Sequence, residues 1–144
     1  MIRRLLGAVL GGFIFLSAML SVPSCSPDTG DDAVACVAAP LDCQPIVSPP
    51  TFDAIYANIL RPSCASGTGR CHGGAAAAGL DMTTPESAHS GLSSRVKPDD
   101  IGCSLLLRRV ESTESSFRMP PGPTPLSEPQ RCAIRQWIAN GATR

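Results

Sequence analysis

Large aromatic side chains are scarce in this chain. Its 144 residues hold four Phe, one Tyr and one Trp. From residue 51 onward only Phe52, Tyr56, Phe117 and Trp137 remain. A small domain so short of large apolar groups needs a staple, a metal or a cofactor. Charge is sparse too: 12 basic and 12 acidic side chains cancel, and no basic stripe is interleaved with aromatics, which excludes a nucleic-acid surface. No serine stands in G-x-S-x-G, no His-rich metal motif is present, and no glycine-rich phosphate loop follows a strand. No strand pattern and no internal repeat occur, so the fold class expected is all-α, with short helices and long loops.

What the chain does hold is seven cysteines, and compartment sets their meaning. It opens "MIRRLLGAVLGGFIFLSAMLSVPSC". Arg3 and Arg4, the apolar run Leu5 to Leu20 and the small residue Ser24 before Cys25 form an export signal over 1–24. "VPSC" resembles a bacterial lipobox, which implies lipid on Cys25 and an anchored protein facing the periplasm or cell exterior. Cleavage without lipid and an uncleaved membrane anchor are the alternatives. In each case the rest of the chain is exported to a place where disulfides persist.

Residues 25–50 read as a disordered tether. After Cys25 come prolines, small residues and four aspartates, with no basic residue and no aromatic. Such a stretch buries too little apolar surface to offset its ordering entropy. Within it, Cys36 and Cys43 are expected to close a local disulfide, with pairing into the domain as the alternative.

The domain spans 51–144. Phe52, Ile55, Tyr56 and Ile59 mark one helical face. Thr51 caps it, and Pro62 is expected to end it just before Cys64. "TTPESAHSGL" begins with a capping box, Thr83 to Glu86, with His89 an exposed helical residue. "GCSLLLRRV" predicts a short buried helix. "LSEPQRCAIRQWIANGA" predicts a final amphipathic helix, capped by Ser127 and Gln130 and stopped at Gly141. Cys103 and Cys132 are not followed by histidine, and a disulfide between them is the natural reading.

The chemistry concentrates in "SCASGTGRCHGG", residues 63–74. Haem attachment in C-x-x-C-H needs two thiols that reach the vinyl groups and a His beside the second that reaches the iron. Here six residues separate Cys64 from Cys71, so the single turn becomes an arch. Gly67 and Gly69 permit it to fold back, and Gly73 and Gly74 let the chain pass close to a ring. Met119, in the proline-rich "RMPPG", offers a thioether as second axial ligand, the pair used by many electron-transfer haems. Other uses stay open. Cys64 and Cys71 can form a disulfide, or join His72, with or without His89, around zinc.

"CHGG", "GLDM", "SLLLRRV", "RMPPG" and "AIRQWIANGA", in that order, resemble the small cytochrome c-like domains of exported planctomycete and myxobacterial proteins. The resemblance covers 51–144. It implies a class I cytochrome c fold whose first and last helices cross near a haem c. It also implies thioethers at Cys64 and Cys71 and axial iron ligands at His72 and Met119. With both axial positions filled, electron transfer to a redox partner protein is expected rather than enzymatic catalysis. The expected protein is thus a monohaem, membrane-tethered monomer. A haem-free, disulfide-stapled lipoprotein module is the alternative.

Overall fold

The computed structural model describes residues 35–65, 71–74 and 76–144. The export signal, Cys25 and the arch residues Gly67 and Gly69 lie outside the described residues. Among those described the architecture is helical, with no strand.

The first helix, α1 (Phe52–Ile55), is capped by Thr51, whose hydroxyl accepts from the Ala54 N–H at 3.3 Å. The spiral then widens into a π-helical run over Tyr56–Ala65. It does not end at Pro62, as the sequence predicts, but continues through Cys64. Pro62 costs one backbone donor, and the wider turn carries the chain past it with Ile59 and Leu60 fully buried.

Helix α2 spans Pro85–Ser93 and starts one residue later than the expected box. Thr84 is the cap, and its hydroxyl accepts from the Ser87 N–H at 3.1 Å. Pro85 explains the shift: proline suits the first helical position and forces the residue before it into extended backbone, which an N-cap requires. A 3-10 segment, Pro98–Cys103, leads into α3 (Leu105–Glu111). Helix α4 spans Glu128–Ala139 and begins as expected, the Ser127 N–H donating to Gln130 Oε1 at 2.8 Å. It ends before Gly141, whose φ of 90° is the left-handed backbone of a helix stop.

The core gathers one face of each helix: Phe52, Ile55 and Ile59 from the first, Leu92 from α2, Leu107 and Val110 from α3, and Ile134, Trp137 and Ile138 from α4. The first and last helices meet where the Phe52 and Trp137 rings lie 5.3 Å apart. His89 is not an exposed helical residue. Its ring sits edge-on to Phe52 at 4.8 Å, and its Nε2 donates to the Ala142 carbonyl at 3.0 Å. Arg135 is buried in α4. It pairs with Glu111 at the end of α3 and with Glu128 at the start of α4, while Arg131 reaches the same two carboxylates at 2.9 and 2.8 Å. This network bolts α3 to α4 where apolar residues run out.

The cysteine pairing differs from expectation. Cys36 is bonded to Cys103 and Cys43 to Cys132, so neither the local Cys36–Cys43 pair nor the Cys103–Cys132 pair forms. The cause is the course of residues 35–50. From Ala35 onward the chain is not a free tether but a strap laid along the domain. The Val37 N–H donates to the Gly102 carbonyl at 3.0 Å, and the Ile46 N–H donates to the Pro129 carbonyl at 2.9 Å. Gln136 on α4 donates to the carbonyls of Leu41 and Cys43, each at 3.3 Å. Gly102 permits the closest approach: a Cβ there would lie 2.3 Å from the Val37 oxygen. Held against Gly102 at one end and α4 at the other, the strap delivers Cys36 to Cys103 and Cys43 to Cys132 instead of to each other.

Candidate functional site

The site is built around the arch. Its two ends are brought together: the His72 N–H points to the Cys64 carbonyl at 3.4 Å. Cys64 closes the π-helical run, and its sulfur is a free thiol. The residue keeps some surface exposure, yet enclosure of the sulfur by apolar neighbours pushes the thiol up to about 12. Cys71 is disulfide-bonded, and not to Cys64, which is free.

His72 is fixed by the turn that follows. The Ala77 N–H donates to the Cys71 carbonyl at 2.7 Å, and His72 Nδ1 lies 3.1 Å from the Ala77 oxygen. A carbonyl only accepts, so Nδ1 carries the proton, and in the neutral ring Nε2 carries the lone pair. This is how metal-binding imidazoles are oriented. Left-handed backbone at Ala76 (φ 42°) and Ala78 (φ 54°) flanks Ala77 and turns its carbonyl to the ring. Such a conformation costs an alanine about 1–2 kcal/mol, so strain is held next to the histidine. Gly74 has open space where its side chain would be, and Gly73 is buried.

A second layer holds the His72 backbone. The Met82 N–H donates to the His72 carbonyl at 2.5 Å. The Tyr56 hydroxyl lies 3.1 Å from the Met82 carbonyl and 3.0 Å from the Thr83 carbonyl. The first helix thereby positions the arch's far end through one phenol. Sequence reasoning placed Tyr56 only on a buried face. Its status as the sole tyrosine in an otherwise apolar stripe was the available signal, since a buried phenol needs a partner.

Met119 sits on the other loop. Its N–H donates to the Arg109 carbonyl at 2.9 Å, which ties the loop to α3. The Arg109 guanidinium lies over the Phe117 ring at 4.0 Å and donates to the Phe117 carbonyl at 3.2 Å. Arg118 donates to the Gly122 carbonyl. Sequence reasoning gave Arg109 and Arg118 no part in the site.

The zinc reading is not carried by the geometry. His89 is engaged with Ala142 and two rings, Cys71 is in a disulfide, and the Cys64 thiol resists ionisation. Among the described residues the group of potential metal ligands drawn together is Cys36, Asp100 and Cys103, and its two sulfurs are bonded to each other.

Residues 69–123 match the family described as planctomycete cytochrome C. No curated protein and no solved structure matches the chain. The matched segment begins after Cys64, includes Cys71, His72 and the α3 arginines, and ends just beyond Met119. With the helical architecture, this match supports a cytochrome c-like domain over those residues.

Proposed function

We propose that the protein is a monohaem c-type electron carrier, exported and tethered to a membrane through lipid on Cys25. The observation that carries the haem reading is the His72 tautomer. Donation from Nδ1 to Ala77 fixes the ring in the tautomer that metal-binding imidazoles use, one residue after Cys71 and inside the matched segment. His72 and Met119 supply an imidazole–thioether donor set, which suits haem iron. A haem held by them supplies a one-electron iron couple.

The chain's own residues do the positioning. Tyr56, Met82 and Ala77 fix His72 on one loop, and Arg109 fixes Met119 on the other. Covalent attachment requires free thiols. Cys64 is one, while Cys71 must first be released from its disulfide by reduction. With both axial positions taken by side chains, no coordination site is left for a substrate, which favours electron transfer over catalysis. The partner is a redox protein that meets the domain outside the cytoplasm.

The test is expression with the export signal in a host that matures c-type cytochromes. Haem should migrate with the denatured polypeptide, and His72→Ala should abolish it. Cys25→Ser should release the protein into the soluble fraction. Protein that carries no haem after such expression, with Cys64 and Cys71 joined to each other, refutes the carrier reading. That outcome leaves the haem-free stapled module.

A further inference from the structure

The loop that carries Met119 is poor in the means to hold itself. Pro120, Pro121, Pro123 and Pro125 bring no N–H, so a loop of this composition must borrow donors from outside. It borrows one from Arg109 on α3 and adds its own Arg118. Arg109 stacks its guanidinium on the Phe117 ring at 4.0 Å and donates to the Phe117 carbonyl at 3.2 Å, two residues before Met119. The Arg109 carbonyl takes the Met119 N–H at 2.9 Å. Arg118 donates to Gly122, three residues after Met119. Phe117 is itself buried, so the stack is anchored in the domain and not on a mobile surface.

We infer that Arg109 is the positioning residue for the Met119 thioether. It clamps the loop to α3, so that Met119 is presented as a ligand instead of swinging to solvent. The inference rests on the haem reading above. It adds that the strength of Met119 ligation is set by a side chain that does not touch the iron. The clamp needs the planar, forked guanidinium. A lysine keeps the charge but cannot stack and donate in the same way.

The experiment uses the full haem-loaded protein. The readouts are the ferric charge-transfer band that marks thioether ligation, carbon monoxide binding to the reduced form, and the midpoint potential. Arg109→Gln is expected to raise the fraction of unligated Met119 about tenfold, the scale of one lost cation–aromatic contact and one charged hydrogen bond. The band weakens, carbon monoxide binds faster and the potential falls. Arg109→Lys restores little, and Phe117→Leu, which removes the stacking ring and keeps the charge, moves the readouts in the same direction. The decisive comparison is Arg109→Gln in a Met119→Ala background, where no further fall in potential is expected. An equal fall in both backgrounds, or full rescue by lysine, means that Arg109 acts through space as a charge and overturns the clamp. An unchanged band and potential in Met119→Ala alone would instead overturn the ligand assignment itself.

Discussion

Removing the Cys36–Cys103 bond is expected to loosen the strap and cost about 4 kcal/mol. Taken alone, that bond closes a loop with a sequence separation of 67, worth about 4.4 kcal/mol in the chain-entropy account. The second staple shortens the path. Cys36 and Cys43 are seven residues apart and Cys103 and Cys132 are 29 apart. With Cys43–Cys132 intact, the loop closed is therefore about 36 residues, worth about 3.8 kcal/mol. The variant is Cys36→Ser with Cys103→Ser; both positions keep enough exposure to take a hydroxyl. Urea unfolding of the oxidised protein is the assay. At a slope of about 1.5 kcal/mol per molar, the midpoint falls by roughly 2.5 M. Gly102→Ala is an independent check, because its methyl group would collide with the Val37 oxygen and lift the strap without touching a sulfur. A fall below about 0.5 M, where the loop model predicts several kcal/mol, would refute the reasoning. So would peptide mapping that recovers Cys36 joined to Cys43.

Three further outcomes can be checked on the same protein. Glu86 and Glu128 lie below the usual carboxylate range, chiefly through hydrogen bonds from Arg144 and Arg135. A depressed folded value means stability that is present above the unfolded value, about 4.3, and lost as pH falls through the folded one. Thermal midpoints should thus hold near neutrality and drop below about pH 4, and Glu128→Gln should flatten that drop. In the haem-free chain, Cys64 should alkylate about a thousandfold more slowly than an ordinary thiol near pH 8, since burial raises its value from 9.0 to about 12; iodoacetamide labelling with and without urea measures the difference. Ala78→Gly should stabilise the domain by about 0.5–1 kcal/mol, because relief of left-handed strain exceeds the entropy glycine adds to the unfolded chain. A loss of stability in urea would count against the strained turn.

The helices were legible in the sequence because their signals are local. Phe52 to Ile59, the box at Ser127 and Gln130, and the stop at Gly141 each lie within a few turns of chain. The Thr84 cap was misplaced by one residue, since Thr83 with Glu86 fits the S/T-x-x-E pattern, whereas the box formed closes on Ser87 and is set by the backbone demand of Pro85. The pairing of the cysteines was not legible. Composition marks residues 26–50 as unable to fold alone, which holds for the isolated segment. It says nothing of a strap whose ordering is supported by bonds to Gly102, Pro129 and Gln136 and by two disulfides. Parity and spacing permit every connectivity, and only the lie of the strap selects one.

The histidine and methionine assignments came from motif and resemblance, and what they lacked was any account of how short loops fix a ligand. The structure answers with long-range donors and acceptors. Tyr56, 16 positions before His72, acts through the backbone of Met82 and Thr83. Arg109, ten positions before Met119, acts through Phe117. Neither contact has a spacing rule. Both follow from one constraint: loops rich in proline, glycine and alanine have few side-chain donors of their own, so polar groups on the helices must hold them. The strained turn at Ala76 and Ala78 has the same logic. Two glycines would relax it, but the alanines narrow the backbone's choices around Ala77, whose carbonyl sets the tautomer of His72. Tyr56 and Arg109 thus reach from the helices to the two loops that carry the proposed ligands. The thin apolar core is left to the disulfides and the Arg135 network to secure.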